Sequence, residues 1–226
     1  MTDTVTLTSA VDGFAFTALH AQPEGAHKGG IVVVQEIFGL DQYVHADVAR
    51  WSALGFEVLA PSLFDRVERG YLGGREPKDF QTGVAHVNTI GLDPMLSDIQ
   101  TCIDRLAPRG PVFAVGYCLG GSLVWLAAGK LKGLAAGAAY YGGMIAANAE
   151  LPLNAPVIVH LGRKDPHIPA DAVKARLAEA HPEVEVHIYE NSGHGFNNDG
   201  RPDSDPEDAD LARQRSLALF QAHGAA

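Results

Sequence analysis

A cysteine stands among glycines in residues 116–121, Gly-Tyr-Cys-Leu-Gly-Gly. The apolar run 112–115 predicts a strand before it, and the apolar residues of 122–128 predict a helix after it. The flanking glycines have no Cβ atom, so strand and helix can pack closely around a sharp turn that exposes the cysteine side chain. The positive end of the helix favours a thiolate at that point. The pattern predicts that Cys118 is a nucleophile.

An acid and a histidine follow the cysteine along the chain. Asp165 ends the segment Gly-Arg-Lys-Asp, and His194 stands in Ser-Gly-His-Gly-Phe. Nucleophile, acid, histidine is the chain order of α/β-hydrolase triads, in which the histidine moves the proton and the acid orients and balances the imidazole. Asp171 is an alternative acid, but its position after Pro169 suits a helix start, where capping is a sufficient role.

Three segments together resemble the dienelactone hydrolase family: residues 116–121, the turn Gln-Glu-Ile-Phe-Gly at 35–39, and the loop Gly-His-Gly-Phe at 193–196. The resemblance covers nearly the whole chain. It implies a single α/β-hydrolase domain at residues 1–226, whose cysteine attacks the carbonyl carbon of a lactone or ester without a cofactor. It also implies that Glu36 holds the resting thiol and is displaced when substrate binds, although Glu36 by itself could be a surface carboxylate.

The expected reaction runs through an acyl-enzyme that water then hydrolyses. Its oxyanion needs two donors, and we predict the backbone N–H groups of Leu119, one residue after the nucleophile, and of Ile37, in the loop after an early strand. Glu36 beside a thiol opposes thiolate formation by like-charge repulsion unless it accepts the proton of the thiol.

Arginines are the residues that would bind a substrate carboxylate, as the resemblance implies. The candidates are four residues of the long segment after Pro61 and one residue that follows the histidine loop: Arg66, Arg69, Tyr71, Arg75 and Arg201. Each charged candidate could equally be a solvated surface residue. The expected substrate is a carboxymethylenebutenolide-type dienelactone. The alternative is a broader carboxylesterase or thioesterase, because residues 195–198, directly after His194, contain no arginine.

A redox-sensing thiol protein is an alternative from another functional class. Against it, the second cysteine, Cys102, lies in a helical apolar pattern that predicts a buried, inert side chain. Two cysteines form neither a disulfide framework nor a zinc pattern, and the N-terminus has no signal sequence, so we expect a cytoplasmic protein. His160 and His167 flank Asp165, but no local spacing predicts a metal site.

The composition sets further bounds. A chain of 226 residues with 46% hydrophobic content is sufficient for one well-buried domain. The net charge of −10 argues against nucleic acid and anionic membranes as partners. Residues 110–129 carry no charge, yet a strand-turn-helix explains them better than a membrane span. We expect a small-molecule substrate, and both a monomer and a homodimer remain open.

The elements that must position these residues follow from the hydrophobic pattern. Residues 5–8 and 14–19 flank a Val-Asp-Gly turn and predict an antiparallel hairpin. Alternating strands and helices then predict an α/β fold with a mostly parallel sheet and helices on both faces. The further predicted strands are 31–35, 56–60, 112–115, 134–141, 156–161 and 184–189, and the helices include 44–54, 95–106, 122–128 and 208–222. Each of the four catalytic candidates follows a predicted strand, so they should meet at one edge of the sheet.

Overall fold

The computed structural model describes residues 2–225, and within this range eight strands form one sheet. The order across the sheet is β1-β2-β4-β3-β5-β6-β7-β8. The strand bounds are β1 Thr2–Thr8, β2 Ala15–Ala21, β3 Gly30–Val34, β4 Glu57–Pro61, β5 Val112–Tyr117, β6 Leu134–Tyr140, β7 Val157–Gly162 and β8 Glu185–Tyr189.

The sheet is antiparallel only at its N-terminal edge. β1 pairs with β2, and β2 with β4, in antiparallel register, whereas every pairing from β4 to β8 is parallel. Side chains of the central strands β3, β4 and β5 are buried along their whole length, as parallel strands covered on both faces require. The predicted α/β fold with an N-terminal hairpin is therefore confirmed.

Six α-helices cover the two faces of the sheet within the described range. Trp51 of the first helix packs on Phe220 of the last, with ring centroids 5.6 Å apart, and Phe220 stacks on Phe113 of β5. These two helices therefore share one face. The third and fourth helices lie on the opposite face, because Gly30 packs against Leu106 and Gly116 against Val124, and both glycines point to the side of the sheet away from Phe113. The bounds are α1 Gln42–Ala53, α2 Pro77–Ile90, α3 Leu92–Leu106, α4 Leu119–Lys130, α5 Ala170–Ala180 and α6 Pro206–Ala222.

Two of these helices show where the sequence pattern was informative and where it was weak. Helix α3 buries the predicted stripe of Met95, Ile99, Ile103 and Leu106. Helix α2 was not predicted: its apolar residues Phe80, Val84 and Val87 recur at helical spacing, but the stripe is short, Phe80 is exposed and the two valines are only partly buried against the core. The uncharged segment 110–129 consists mainly of β5 and the first part of α4, and no helix within residues 2–225 is long and apolar enough to span a membrane.

Candidate active site

Cys118 stands in the turn between β5 and α4, with a backbone φ of 54°. This conformation is strained for a residue with a side chain. A Cβ atom on Gly116 would approach the carbonyl oxygen of Gly120 to 2.2 Å, and one on Gly120 would approach that of Val34 to 2.2 Å. Both glycines are therefore required for β3, β5 and α4 to meet around the cysteine.

Asp165, after β7, and His194, in the loop after β8, form a hydrogen-bonded pair with Nδ1 and Oδ2 2.7 Å apart. The other oxygen of Asp165 accepts hydrogen bonds from the backbone N–H groups of His167 and Ile168. Burial opposes ionisation of Asp165, but the hydrogen bond and charge of His194 and the two backbone donors hold its pKa below the usual value. The carboxylate is thus ionised and fixed in orientation at neutral pH.

The protonation of His194 is also set by its surroundings. Burial opposes a positive imidazole, but hydrogen bonding with Asp165, hydrogen bonding with Cys118 and the charges of both raise the pKa of His194 to about 10. Nδ1 of His194 is occupied by Asp165, so Nε2 is the nitrogen left for the nearby thiol of Cys118, whose interaction with the imidazole contributes to this shift. The structure therefore brings Cys118, Asp165 and His194 together. Asp171 lies apart on the surface, where it pairs with Arg163.

Glu36, two residues after β3, is almost completely buried. Its Oε2 accepts hydrogen bonds from Arg75 at 2.9 Å and from the Asn198 side chain at 3.1 Å. Within residues 2–225 the carboxylate makes no hydrogen bond to Cys118, in contrast to the resting contact that the sequence resemblance implied. Glu36 is thus held by an ion pair with Arg75 and a hydrogen bond from Asn198. Asn198 was not identified from the sequence as a site residue, because residues 195–198 were considered there only for the absence of an arginine.

The five candidate substrate-binding residues separate in space, and three of them lie away from the triad. Arg66 donates to Asp98 of α3 and to Asp12 of the hairpin, each at 2.7 Å. Arg69 donates to the backbone carbonyl of Ala15. The Tyr71 hydroxyl donates to the backbone carbonyl of Asp79, and its ring packs in the interior. The contacts of Arg66, Arg69 and Tyr71 are therefore structural.

Arg75 and Arg201 are the two candidates near the triad. Arg75 is half-buried, pairs with Glu36 and with Asp41, and lies over the rings of Phe38 and Tyr43. Arg201 packs its guanidinium against Gly195, next to His194. No carboxylate in the described part of the chain lies within 4.0 Å of Arg201.

The two predicted oxyanion donors lie at the ends of the turns that surround Cys118. Leu119 is the first residue of α4, and Ile37 is in the turn after β3. Neither backbone N–H donates a hydrogen bond within residues 2–225. Segment 71–83 braces the Ile37 turn, because the Gly73 N–H donates to the Phe38 carbonyl at 3.0 Å and α2 packs closely against Ile37 at Gly83.

We expect Gly83→Ala to lower kcat by about tenfold to a hundredfold, since a misplaced oxyanion donor weakens transition-state stabilisation. A Cβ atom on Gly83 would stand 2.4 Å from the Ile37 carbonyl oxygen, so either α2 or the Ile37 turn must move. Helix propensity alone favours alanine by about 1 kcal/mol, so lost activity in a folded variant reports the packing clash. Steady-state kinetics and a melting curve measure it, with the exposed Thr82→Ala on the same helix as control. Unchanged kcat in Gly83→Ala would contradict the bracing role.

No group of His, Cys, Asp or Glu in residues 2–225 has the arrangement of a metal site. His160 is buried between the hydroxyls of Tyr189 and Ser216, and burial lowers its pKa well below the usual value, so it remains a neutral part of the core. His167 packs edge-on against the ring of His194.

The parallel sheet, the strained cysteine at the strand-helix turn and the Asp–His pair at the carboxyl ends of later strands define an α/β hydrolase. The family model of the dienelactone hydrolase family matches residues 16–224, so the chain belongs to the dienelactone hydrolase family. It is accordingly an enzyme of the lactone and ester hydrolase class.

The relatives agree with this assignment. A carboxymethylenebutenolidase from Pseudomonas putida is 30% identical, over 91% of each chain. A protein from Azospirillum brasilense provisionally given the same name is 30% identical over 99% of each chain. A crystal structure of a protein from Klebsiella pneumoniae, provisionally named dienelactone hydrolase, superimposes with a TM-score of 0.84 at 27% identity, covering 98% of this chain and 99% of that one.

Proposed function

We propose that the protein opens a carboxymethylenebutenolide-type dienelactone by nucleophilic attack of Cys118. The observation that carries the proposal is the Asp165–His194 hydrogen bond of 2.7 Å beside the strained cysteine. An imidazole whose pKa is about 10 is protonated at neutral pH, so it stabilises the negative charge of the Cys118 sulfur once the thiol loses its proton. The names of the Pseudomonas and Azospirillum relatives support the lactone as substrate.

In the first half-reaction the Cys118 thiolate adds to the lactone carbonyl carbon, and the carbonyl electrons move to oxygen. The N–H groups of Ile37 and Leu119 donate to this oxyanion. When it collapses, the ring C–O bond breaks, and His194 gives its proton to the leaving oxygen. The product of this step is a thioester with Cys118, opened at the former ring bond.

In the second half-reaction water attacks the thioester while the now neutral His194 takes its proton. The C–S bond breaks, the electron pair returns to sulfur, and the thiolate–imidazolium pair is restored. Asp165 stays ionised throughout and keeps Nδ1 protonated, so that Nε2 is the nitrogen that exchanges the proton.

Glu36 has the role of a gate in this proposal. Its negative charge destabilises a nearby thiolate, and the ion pair with Arg75 compensates part of that charge. A substrate carboxylate that binds Arg75 competes with Glu36 for the guanidinium, which links substrate binding to the position of Glu36. Such competition would displace Glu36 when substrate binds, as the family resemblance implies.

Arg201 is the residue we expect to bind the substrate carboxylate first, because Arg75 already has two acidic partners. Arg201→Gln should raise KM for cis-dienelactone about tenfold to a hundredfold, since a charge-assisted hydrogen bond contributes roughly 1.5–3 kcal/mol. Hydrolysis of the neutral ester p-nitrophenyl acetate should be unaffected. Arg69→Gln, an arginine far from the triad, is the matched control, and an equal loss for both substrates in Arg201→Gln would refute carboxylate recognition.

A broader carboxylesterase or thioesterase is the second candidate. It is favoured by the sequence Gly-Phe-Asn-Asn directly after His194 and by the neutralisation of Arg75 by Glu36 and Asp41. The rates of wild type on the two substrates distinguish these candidates. A broader esterase should cleave p-nitrophenyl acetate at least as well as cis-dienelactone. A redox-sensing role has less support, because burial raises the pKa of Cys102 in α3 well above its usual value and makes it a poor resolving thiol.

A further inference from the structure

Tyr141 directly follows β6 and shares an unusual backbone with the cysteine. Its φ is 38°, and Cys118 and Tyr141 are the only non-glycine residues of the described chain with positive φ. The two are also joined through the sheet, because the Cys118 N–H donates at 3.0 Å to the carbonyl of Tyr140, which forms the peptide bond to Tyr141. Strained backbone persists where the surrounding structure imposes it, and it concentrates at functional sites.

The Tyr141 side chain is fully buried, and its hydroxyl has no hydrogen-bond partner within residues 2–225. A buried hydroxyl without a partner lowers stability, as does the strained backbone. Both costs fall on one residue, whose ring lies 5.0 Å from the ring of His194. This combination indicates that the hydroxyl has a partner in the working enzyme.

The groups around the hydroxyl limit what that partner is. Burial, followed by the negative charges of Glu36, Cys118 and Asp47, raises the pKa of Tyr141 well above its usual value, and only Arg201 acts in the opposite direction. The phenol therefore stays protonated and acts as a donor over the working pH range. Glu36 is the alternative acceptor, because its Oε2 accepts from two donors but its Oε1 accepts from none within residues 2–225. A bond to Glu36 would leave the alkylation rate of Cys118 at pH 6 unchanged when Tyr141 is replaced by phenylalanine.

We propose that the Tyr141 hydroxyl donates a hydrogen bond to the Cys118 sulfur in its thiolate form. The proposal rests on Cys118 being the nucleophile, and it makes Tyr141 a further catalytic residue. The hydrogen bond stabilises the thiolate against the charge of Glu36 before attack. It forms again during deacylation, when the C–S bond breaks and the electron pair returns to sulfur, so Tyr141 assists the departure of the thiolate.

The test is the rate at which iodoacetamide alkylates Cys118 in wild type and in Tyr141→Phe, measured from pH 6 to pH 9. Alkylation needs only the thiolate, which displaces iodide, so the result does not depend on substrate turnover. The phenylalanine keeps the ring and removes only the oxygen. Cys118→Ala gives the background from Cys102, and Tyr117→Phe is the matched control because Tyr117 is another buried phenol, with its ring 6.2 Å from the ring of Tyr141.

We expect Tyr141→Phe to be alkylated about tenfold more slowly at pH 6, since a hydrogen bond to a charged group is lost. The ratio of the two alkylation rates should approach one at higher pH, where hydroxide removes the thiol proton in both proteins. Tyr117→Phe should be alkylated at the wild-type rate. Equal rates at pH 6, or equal slowing at every pH, would overturn the proposal, the second because it indicates a packing effect. Hydrolysis that survives Cys118→Ala would instead refute the proposed function, so the two failures are distinguishable.

Discussion

Cys118→Ala is expected to lower kcat for cis-dienelactone and for p-nitrophenyl acetate by up to about a millionfold, the scale seen when a nucleophile is removed from a triad. Alanine keeps the small side chain that the turn at Cys118 accommodates, so the fold should be preserved. Without sulfur no thioester forms, and only the oxyanion donors and substrate positioning continue to act. Steady-state kinetics on freshly purified variant, with a melting curve beside it, measure the effect.

Cys102→Ala is the matched control, because it removes the other thiol from the buried core of α3. It should keep the wild-type kcat even where its melting temperature falls, since a core cavity affects stability and not the chemistry. Mass spectrometry of wild type quenched during turnover should show the acyl group on Cys118. Wild-type rates in Cys118→Ala would refute the cysteine mechanism, whatever the substrate.

Asp165→Asn should lower kcat by about ten-thousandfold, as replacement of the triad acid by its amide does in serine enzymes. The amide cannot balance an imidazolium, and it can stabilise the wrong tautomer of His194. Because Asp165 helps to raise the pKa of His194 to about 10, the variant should lose the imidazolium at a lower pH. The alkaline limb of the kcat/KM profile should therefore move to lower pH, and a pH series from 6 to 11 measures the shift.

Asp171→Asn is the control for this variant, since Asp171 is a surface carboxylate that pairs with Arg163. Its activity and its pH profile should equal those of wild type. A fall in kcat for Asp165→Asn without movement of the alkaline limb would contradict the electrostatic role and leave only a structural one. Activity close to wild type would remove Asp165 from the mechanism.

The sequence predicted the parts of this protein that depend on short segments. The glycines around Cys118, the order of Cys118, Asp165 and His194, and the alternation of strands and helices are local signals, and parallel strands bring their carboxyl ends to one edge. The turn at the cysteine could be predicted because only glycine lacks the Cβ atom that would otherwise stand 2.2 Å from a carbonyl oxygen at this crossing. These features specified the class of enzyme and the three residues that meet.

Helix α2 is an element that the local sequence pattern did not predict. Its apolar stripe of Phe80, Val84 and Val87 is short and stays partly exposed, so no helix was assigned there from the sequence. Its position against Ile37 depends on the close approach at Gly83, which is a contact between residues far apart in sequence. The bracing of the oxyanion turn therefore became visible only in the folded chain.

Only the tertiary structure shows which charged side chains pair with each other and that the backbone of Tyr141 is strained. Arg66 and Arg75 look alike in sequence, yet Arg66 pairs with Asp98 and Arg75 with Glu36. Positive φ at Tyr141 has no sequence signal, because it follows from the packing of β6 against its neighbours. Sequence thus determined the reaction class through local geometry, whereas tertiary packing determined which charges meet, because those partners come from distant parts of the chain.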